Sequence, residues 1–280
     1  MEKKDRILEA DDVYFTYEDG TPSLNGVSLV IERGKKIAFM GANGSGKSTF
    51  FLCCNGIHRP NKGVIRFHGE EVEYSRKGLL RLREKVGIVF QDPDNQLFSA
   101  SVRQEISFGA FNIGMDEEKV REAVDRVIGE LEITPFQDRP THALSGGQKK
   151  QVSIADILVM RPEIIILDEP AAALDPRHTR MVHRIVEQLT QEGITVIMAT
   201  HDMDYAYGWA DEIVLMHEGK VLCQGTPAEV CDNLEALRMT NLTEPAVRKL
   251  FRRMCEKGIL SAAGKEPGTV QELEQMILAL

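Results

Sequence analysis

Short apolar runs separated by turn residues make up the first forty positions of the chain. The runs Val13–Tyr17 and Val27–Ile31 have the length and residue types of β-strands, with the turn dipeptides Asp19-Gly20 and Asn25-Gly26 between them. This pattern predicts antiparallel strands joined by turns. A further run, Lys36–Met40, predicts another strand that leads directly into a glycine-rich stretch.

Farther along, the pattern changes to helices and then to an alternation of strands and helices. Two predicted strands, Val64–Phe67 and Val86–Phe90, precede a helical block over about 100–160. Beyond the block the predicted order is strand Ile164–Leu167, helix 177–191, strand Ile194–Met198 and strand Glu212–Met216. Such alternation is typical of a mostly parallel sheet with helices on its faces. We therefore predict an α/β core with an inserted helical block.

Residues that favour helix starts mark three of the predicted helices. Asp116 stands at the N-cap of a helix within the block. In the last segment, 233–280, Thr243 is placed to cap one helix, and Thr269 with Glu272 forms a capping-box pattern before another. The segment after residue 232 is therefore predicted to be a helical extension.

The net charge of −9 over 280 residues is unevenly distributed. Residues 1–232 carry a net charge of −10, whereas residues 233–280 carry +1. An acidic surface disfavours nucleic acid and anionic lipid as partners, so no nucleic-acid partner is expected. The contrast in charge also favours a domain boundary near residue 232.

Apolar residues make up 42% of the sequence, which is enough for a hydrophobic core. No apolar run approaches the roughly 20 residues that a membrane span needs. No apolar segment follows Met1–Arg6, so no signal peptide is expected. The five cysteines form neither a disulfide framework nor a zinc-binding pattern, which favours a reduced, cytosolic protein.

The segment Gly41–Ser48 matches the P-loop pattern G-x-x-x-x-G-K-S, between a predicted strand and a predicted helix over Thr49–Asn55. Glycines let backbone N–H groups converge on phosphate oxygens at the positive end of the helix. Lys47 is suited to neutralise β- and γ-phosphates, and the Ser48 hydroxyl to bind Mg²⁺. The candidate nucleotide-binding residues are Asn43, Gly44, Ser45, Gly46, Lys47, Ser48 and Thr49.

Two carboxylates end the apolar strand that begins at Ile164. Asp168 is placed to hold the hydration shell of Mg²⁺. Glu169 follows at once, where it can act as a general base on an attacking water. Beside a complete P-loop, this pair predicts an ATP-hydrolysing site.

The segment Leu144–Gln148 reads LSGGQ and resembles the signature sequence of the ATP-binding-cassette (ABC) ATPases. The resemblance covers roughly residues 7–230. It implies a P-loop NTPase core with an antiparallel β subdomain and a helical signature subdomain, followed here by the helical extension.

The resemblance assigns roles to four more residues. Tyr17 resembles the aromatic residue that stacks on adenine, and Gln91 resembles the glutamine that senses Mg²⁺ and water and links to the membrane partner. Asp175 lies in a segment that resembles the D-loop, where it helps to pair two cassettes. His201 resembles the switch histidine that contacts the γ-phosphate.

In the family, two ATPases enclose two ATP molecules, and each signature loop completes the site of the opposite subunit. The residues expected to act in this way are Ser145, Gly146, Gly147 and Gln148. A second ABC ATPase, identical or similar, is therefore an implied partner.

The segments Gln91–Phe98 and Phe15–Gly20 resemble the cobalt-type and energy-coupling-factor (ECF) importers, which take up vitamins or transition-metal ions. This resemblance implies a transmembrane coupling subunit and a substrate-binding membrane subunit. Gln96, Leu97 and Phe98 are expected near the groove that receives a helix of the coupling subunit. Residues 233–280 are expected to support pairing of two ATPases at the cytoplasmic face of the membrane.

Two other functions within the same fold are an exporter ATPase and a soluble clamp protein of DNA repair or translation. The Gln91 segment argues against the exporter, and the single P-loop with an acidic surface argues against the clamp. Asp156 departs from the small or basic residues usual at its position. The basic cluster Arg248, Lys249, Arg252 and Arg253 is interpreted as a solvated helix face or a site for an acidic partner.

Overall fold

The computed structural model describes residues 5–261 and 264–279. Residues 1–4, the start of the segment considered for a signal peptide, lie outside the described residues. Four strands form an antiparallel sheet: Arg6–Thr16 (β1), Pro22–Glu32 (β2), Lys62–Phe67 (β4) and Glu70–Glu71 (β5). Their order is β2-β1-β4-β5. The predicted antiparallel strands are confirmed, and they are longer than the apolar runs.

The second sheet has six strands in the order β10-β9-β3-β8-β7-β6. They are Lys36–Met40 (β3), Val86–Val89 (β6), Ile164–Asp168 (β7), Thr195–Ala199 (β8), Glu212–His217 (β9) and Lys220–Gly225 (β10). All neighbours pair in parallel except β9 and β10, which are antiparallel. The predicted mostly parallel sheet is confirmed.

Eleven α-helices lie within the described ranges. They are Lys47–Cys54 (α1), Arg76–Lys85 (α2), Val102–Asn112 (α3), Glu117–Glu130 (α4), Gly146–Leu158 (α5), Pro176–Gln191 (α6), Met203–Trp209 (α7), Pro227–Asp232 (α8), Leu234–Met239 (α9), Ala246–Glu256 (α10) and Val270–Leu278 (α11). Single 3₁₀ turns occur at Pro93–Asn95, Thr134–Phe136 and Thr141–Ala143. Helices α3 to α5 form the inserted block. Among the described residues, no helix has the length and apolar character needed to cross a membrane.

Both faces of the parallel sheet are buried, so the hydrophobic core consists of two clusters, one on each face of the sheet. In β3, Ala38 and Met40 belong to the core cluster that also contains residues of the inserted helices. Ile37 and Phe39 point to the opposite face and pack with Phe50 of α1 and the antiparallel sheet. The alternation follows from the two-residue period of a strand, and burial on both faces explains the continuous apolar runs.

The prediction of a turn at Asn25-Gly26 is wrong, because both residues lie inside β2. Val13 pairs with Val27 and Tyr14 with Asn25, so Gly26 is an extra residue in β2. Its φ of +91° places it in the left-handed region that glycine adopts readily. The dipeptide forms a β-bulge, which needs the same backbone geometry as many turns.

Two of the predicted helix caps also differ in the structure. Asp116 is at the N-cap of α4, but its carboxylate makes no capping hydrogen bond and lies 3.2 Å from Lys119. The prediction of Thr243 as a cap is wrong, because α10 begins at Ala246. The Ala246 backbone N–H donates to the Asp204 carboxylate at 2.6 Å. A side chain distant in sequence therefore caps α10.

Part of the basic cluster on α10 is not a solvated face. Arg248 is only 2% exposed and lies 2.8 Å from Asp232 and 3.2 Å from Glu266. Arg252 also reaches Asp232, at 2.9 Å, while Lys249 and Arg253 are exposed. Arg248 therefore joins α10 to the end of α8 by internal ion pairs.

Candidate active site

Four chemically important segments follow the carboxyl ends of adjacent parallel strands. The P-loop follows β3, Gln91 lies two residues after β6, Glu169 follows β7, and His201 lies two residues after β8. Because these strands are parallel neighbours, their carboxyl ends meet at one edge of the sheet. The topology therefore brings these residues to the same end of the molecule.

Two glycines of the P-loop are required by close backbone contacts. Gly41 and Gly46 have φ of +144° and +101°. A Cβ at Gly41 would lie 2.1 Å from the Met216 carbonyl oxygen, and one at Gly46 would lie 2.7 Å from the Ser23 carbonyl oxygen. A side chain at either position would displace the loop that presents its N–H groups.

The P-loop side chains fit a phosphate ligand. Lys47 is 6% exposed, and its Nζ donates to the Gly41 carbonyl at 2.7 Å and more weakly to Ala42 at 3.3 Å. Burial lowers the pKa of Lys47, against the opposing effect of Glu169 and Asp168. The buried Ser45 Oγ has no hydrogen-bond partner within the described part of the chain. A phosphate oxygen would satisfy it.

The two carboxylates after the strand differ in surroundings. Burial raises the pKa of Asp168, while a hydrogen bond with Ser48 and the charge of Lys47 lower it. Burial also raises the pKa of Glu169, opposed by His201 and Lys47. Glu169 Oε1 lies 2.9 Å from His201 Nε2. The Ser48 hydroxyl and the Asp168 carboxylate are oxygen donors of the kind Mg²⁺ prefers, so these residues fit the ion.

A cleft of about 300 Å³ lies above the P-loop. Of the predicted site residues it is lined by Tyr17, Asn43, Gly44, Ser45, Gly46, Lys47, Ser48, Thr49, Gln91, Asp168 and Glu169. The Tyr17 hydroxyl lies 2.8 Å from Thr49 Oγ1, and 39% of the tyrosine is exposed. The structure thus brings these predicted residues together, and His201 adjoins them through Glu169.

The signature residues lie elsewhere. Ser145 is the N-cap of α5 and forms a capping box with Gln148, while Gly146 and Gly147 begin the helix. None of these four is among the described residues that line the P-loop cleft. Asp175 does not line it either; its carboxylate caps α6 by accepting from two backbone N–H groups. One copy of the chain does not bring its signature loop to its own P-loop.

Gly147 lies directly against the ring of His178. A Cβ at this glycine would be 2.0 Å from His178 Cδ2. The other side of the ring is bound to the D-loop segment, since His178 Nδ1 lies 2.6 Å from Asp175 Oδ2. The backbone N–H of His178, and after it this ring contact, lower the pKa of Asp175. The signature helix therefore packs on α6 at a distance that only glycine permits.

Sequence reasoning missed the role of Lys150 and had no explanation for Asp156. Lys150 is 1% exposed, and burial lowers its pKa to about 8. Asp156 Oδ2 accepts a hydrogen bond from Gln96 Nε2 at 3.0 Å, and burial raises its pKa to about 7. The one feature of the sequence that could have revealed these two residues was a charged side chain at a helix position that faces the core.

An apolar groove of about 800 Å³ lies between α2, α3 and α5. Gln96, Phe98 and Asp156 line it, and Phe98 is 67% exposed. Phe98 packs edge-to-face on Phe108 at 4.8 Å between ring centroids. Leu97 is not a groove residue; it packs against the main core. Gln96 and Phe98 therefore line this groove, whereas Leu97 is half-buried and packs against the core; that the groove receives a helix of a coupling subunit stays a prediction.

Fold and site together define a P-loop ATPase with an inserted signature helix. A family model described as "ABC transporter" matches residues 24–172, more than half of the chain. The chain belongs to the ABC transporter family and is an ATP-binding, ATP-hydrolysing cassette of that family.

Several known proteins are similar over most of their length. The "Energy-coupling factor transporter ATP-binding protein EcfA3" of Clostridium perfringens is 46% identical over 255 residues, covering 91% of this chain and 90% of the relative. The "Energy-coupling factor transporter ATP-binding protein EcfA" of Methanocaldococcus jannaschii is 41% identical over 251 residues, covering 90% of each.

Solved structures give the same picture. The cbiO1 structure from Clostridium perfringens, described as part of the ABC transporter complex cbiONQ, has a TM-score of 0.74 and 45% identity. The match covers 89% of this chain and 99% of cbiO1. A dimeric structure of the cassette MJ0796 bound to ADP and Pi has a TM-score of 0.72 and 26% identity, covering 79% and 99%.

Proposed function

We propose that this ATPase energises a membrane importer of the cobalt-type or ECF kind. The convergence of the P-loop cleft with Glu169 and His201 at one end of the parallel sheet carries the proposal. Relatives named as ECF transporter ATP-binding proteins, at 46% and 41% identity, support the importer class. The proposed cargo of the complete importer is a vitamin or a transition-metal ion.

ATP is proposed to bind with its phosphates on the P-loop N–H groups and its adenine on Tyr17. Lys47 neutralises the β- and γ-phosphates. Mg²⁺, held by Ser48, Asp168 and Gln91, adds charge stabilisation to phosphoryl transfer when it is bound. The buried Ser45 Oγ supports this orientation, because it has no hydrogen-bond partner among the described residues and a phosphate oxygen would satisfy it.

Glu169 is proposed to accept a proton from the attacking water. Burial raises its pKa, and a stronger base at neutral pH is better suited to this task. His201 Nε2 lies 2.9 Å from this carboxylate and is expected to contact the γ-phosphate once ATP is bound. The side chains proposed for hydrolysis thus lie at the carboxyl ends of four neighbouring strands, β3, β8, β7 and β6.

The site requires a second ATPase subunit, because the signature loop lies away from the P-loop of its own chain. We propose that Ser145, Gly146, Gly147 and Gln148 complete the ATP site of a paired cassette, with Asp175 at the contact. The dimeric state of MJ0796 bound to ADP and Pi supports this arrangement. A second copy or a similar cassette fills the role.

The apolar groove is proposed to receive a helix of a transmembrane coupling subunit. Three exposed apolar side chains, Leu80, Phe98 and Phe108, support this assignment because they offer contact area to an apolar helix face. A separate membrane subunit would bind the cargo. The description of cbiO1 as part of cbiONQ supports an assembly of this kind. The chain would then be a peripheral subunit at the cytoplasmic face of the membrane.

Residues 233–280 are proposed to form a separate helical extension that supports pairing, after a cassette domain over 1–232. The extension carries several exposed large apolar residues: Leu234, Met239, Leu250, Ile259, Val270, Ile277 and Leu278. Burial of such residues between two subunits would stabilise a dimer.

Glu169→Gln tests the proposed base. Hydrolysis is expected to fall roughly 10²–10⁴-fold, the usual range for loss of a general base. Because ATP binding is retained without hydrolysis, the variant is expected to form an ATP-dependent dimer in light scattering. Glu192→Gln, an exposed glutamate on the same cassette, is the matched control.

Hydrolysis by Glu169→Gln within threefold of wild type would contradict the assignment of the base.

The importer is tested by affinity purification of the tagged chain from host membranes in mild detergent. A multi-span membrane protein is expected to copurify and to alter the ATPase rate. A fully active ATPase that copurifies with no multi-span membrane protein would contradict the transport proposal.

A further inference from the structure

Lys150 joins the signature helix to the loop that carries Gln91. Its side chain is buried, and Nζ donates to the carbonyl oxygens of Phe90 and Gln91, each at 2.8 Å. Both carbonyls lie just beyond Val89, where the pairing of β6 with β7 has ended. The ammonium group thus satisfies two carbonyls that have left the sheet, and the carbonyls compensate a buried charge.

Two further contacts join the same elements on either side of Lys150. Lys149 Nζ lies 2.5 Å from the Asp94 carboxylate at the exposed edge. Gln96 Nε2 donates to the Ser153 carbonyl at 2.8 Å, closer to the apolar groove. The segment 90–96 is therefore attached along α5, with Lys150 as its most buried contact.

The two attached elements serve different ATP sites in the proposed dimer. Gln91 lines the P-loop cleft of its own chain. Ser145, at the start of α5, is expected to face the ATP of the partner. Lys150 is five residues from Ser145, about 7 Å along a helix with a rise of 1.5 Å per residue. The contacts of Lys150 therefore connect the Gln91 backbone to the signature loop by a short path along one helix.

We propose that Lys150 is a positioning residue that couples the two ATP sites of the pair. It holds the Gln91 loop and the signature helix as one body, so that occupancy of one site sets the position of the signature loop at the other. This inference rests on the proposed function, since it requires a paired ATPase. It assigns Lys150 no contact with ATP.

The test compares Lys150→Met, Lys150→Arg and Lys149→Met in the full-length chain. Methionine fills the space but leaves both carbonyls without a donor, whereas arginine keeps donors and charge. Lys149→Met removes the neighbouring lysine, whose partner Asp94 is 65% exposed, so solvent screening weakens that ion pair. Four quantities are measured: affinity for a fluorescent ATP analogue, the Hill coefficient for ATP hydrolysis, kcat, and hydrogen exchange of residues 90–96.

For Lys150→Met we expect analogue affinity within twofold of wild type, a Hill coefficient reduced to one, and kcat reduced about tenfold. Hydrogen exchange of residues 90–96 is expected to rise about tenfold, as a direct sign that the loop is released. Lys150→Arg is expected to recover at least a third of the wild-type kcat and a Hill coefficient above one. Lys149→Met is expected to behave as wild type.

Wild-type cooperativity and kcat in Lys150→Met would overturn the inference, and so would equal losses in Lys150→Met and Lys150→Arg. If Lys150→Met lacks a cooperative thermal transition, Lys150→Gln replaces it. The shorter amide reaches at most one carbonyl, so an intermediate loss is expected and wild-type behaviour overturns the inference. A wild-type chain that hydrolyses no ATP would instead contradict the proposed function.

Discussion

Asp156 is a carboxylate that the fold holds in an unfavourable place, and its replacement should stabilise the protein at neutral pH. The side chain lies between the apolar groove and the core, and burial raises its pKa from 3.8 to about 7. Its one strong partner is neutral, because Gln96 Nε2 donates to Oδ2 at 3.0 Å. Asparagine keeps an oxygen that accepts this bond and removes the ionisation.

The size of the effect follows from linkage between proton binding and folding. Each unit of pKa difference corresponds to about 1.4 kcal/mol, so a shift of about three units corresponds to about 4 kcal/mol. Access of water from the groove reduces this, and we expect about 2–4 kcal/mol. Because the folded pKa is raised, the carboxyl's contribution to stability is full below pH 4. It is lost as the pH rises to about 7, where the folded form also ionises.

Urea unfolding of wild type and Asp156→Asn at pH 5 and pH 8 measures the difference directly. We expect the variant to be more stable by about 2–4 kcal/mol at pH 8, and by only about 1.5 kcal/mol at pH 5. Asp138→Asn, at an exposed position, is expected to change stability by less than about 0.5 kcal/mol at both pH values. A gain that is equal at pH 5 and pH 8, or a loss at pH 8, would refute the reasoning.

Phe98→Asp should abolish stimulation of the ATPase by membrane partners but leave ATP binding intact, because Phe98 is 67% exposed in the groove. Unchanged stimulation would contradict the proposed docking site. Leu97→Asp should instead lower the free energy of unfolding, since half-buried Leu97 packs against the core, and a normal melting temperature would contradict that placement. Arg248→Met should destabilise the chain by about 2–4 kcal/mol in urea unfolding, because it leaves clustered carboxylates without their buried cation. The exposed Arg253→Met is its control, and equal effects of the two would argue against the internal ion pairs.

Sequence patterns predicted well the elements whose structure is determined by residues close together in the chain. The strand, glycine-rich loop and helix around Lys47 form a continuous segment, and the carboxyl ends of parallel strands necessarily meet at one edge. For this reason the residues of the P-loop cleft could be predicted as a group. Their assigned roles in binding and hydrolysis stay predictions that the variants above test.

The features that were missed depend on partners far away in the chain. Lys150 and the carbonyl of Phe90 are 60 residues apart, and Asp156 is equally far from Gln96. No local pattern reports such pairs. The prediction of Thr243 as a helix cap was wrong because the Asp204 carboxylate accepts the hydrogen bond at the start of α10. The prediction of a turn at Asn25-Gly26 was wrong because a β-bulge needs the same backbone geometry as a turn.

The close packing of Gly147 on His178 affects how variation in a signature loop should be interpreted. A side chain at position 147 is excluded by the imidazole ring of its own chain, whether or not a phosphate approaches from a partner. An inactive variant at this glycine is therefore not, by itself, evidence of a phosphate contact. Across related chains, larger residues at position 147 should occur only together with a smaller residue at position 178.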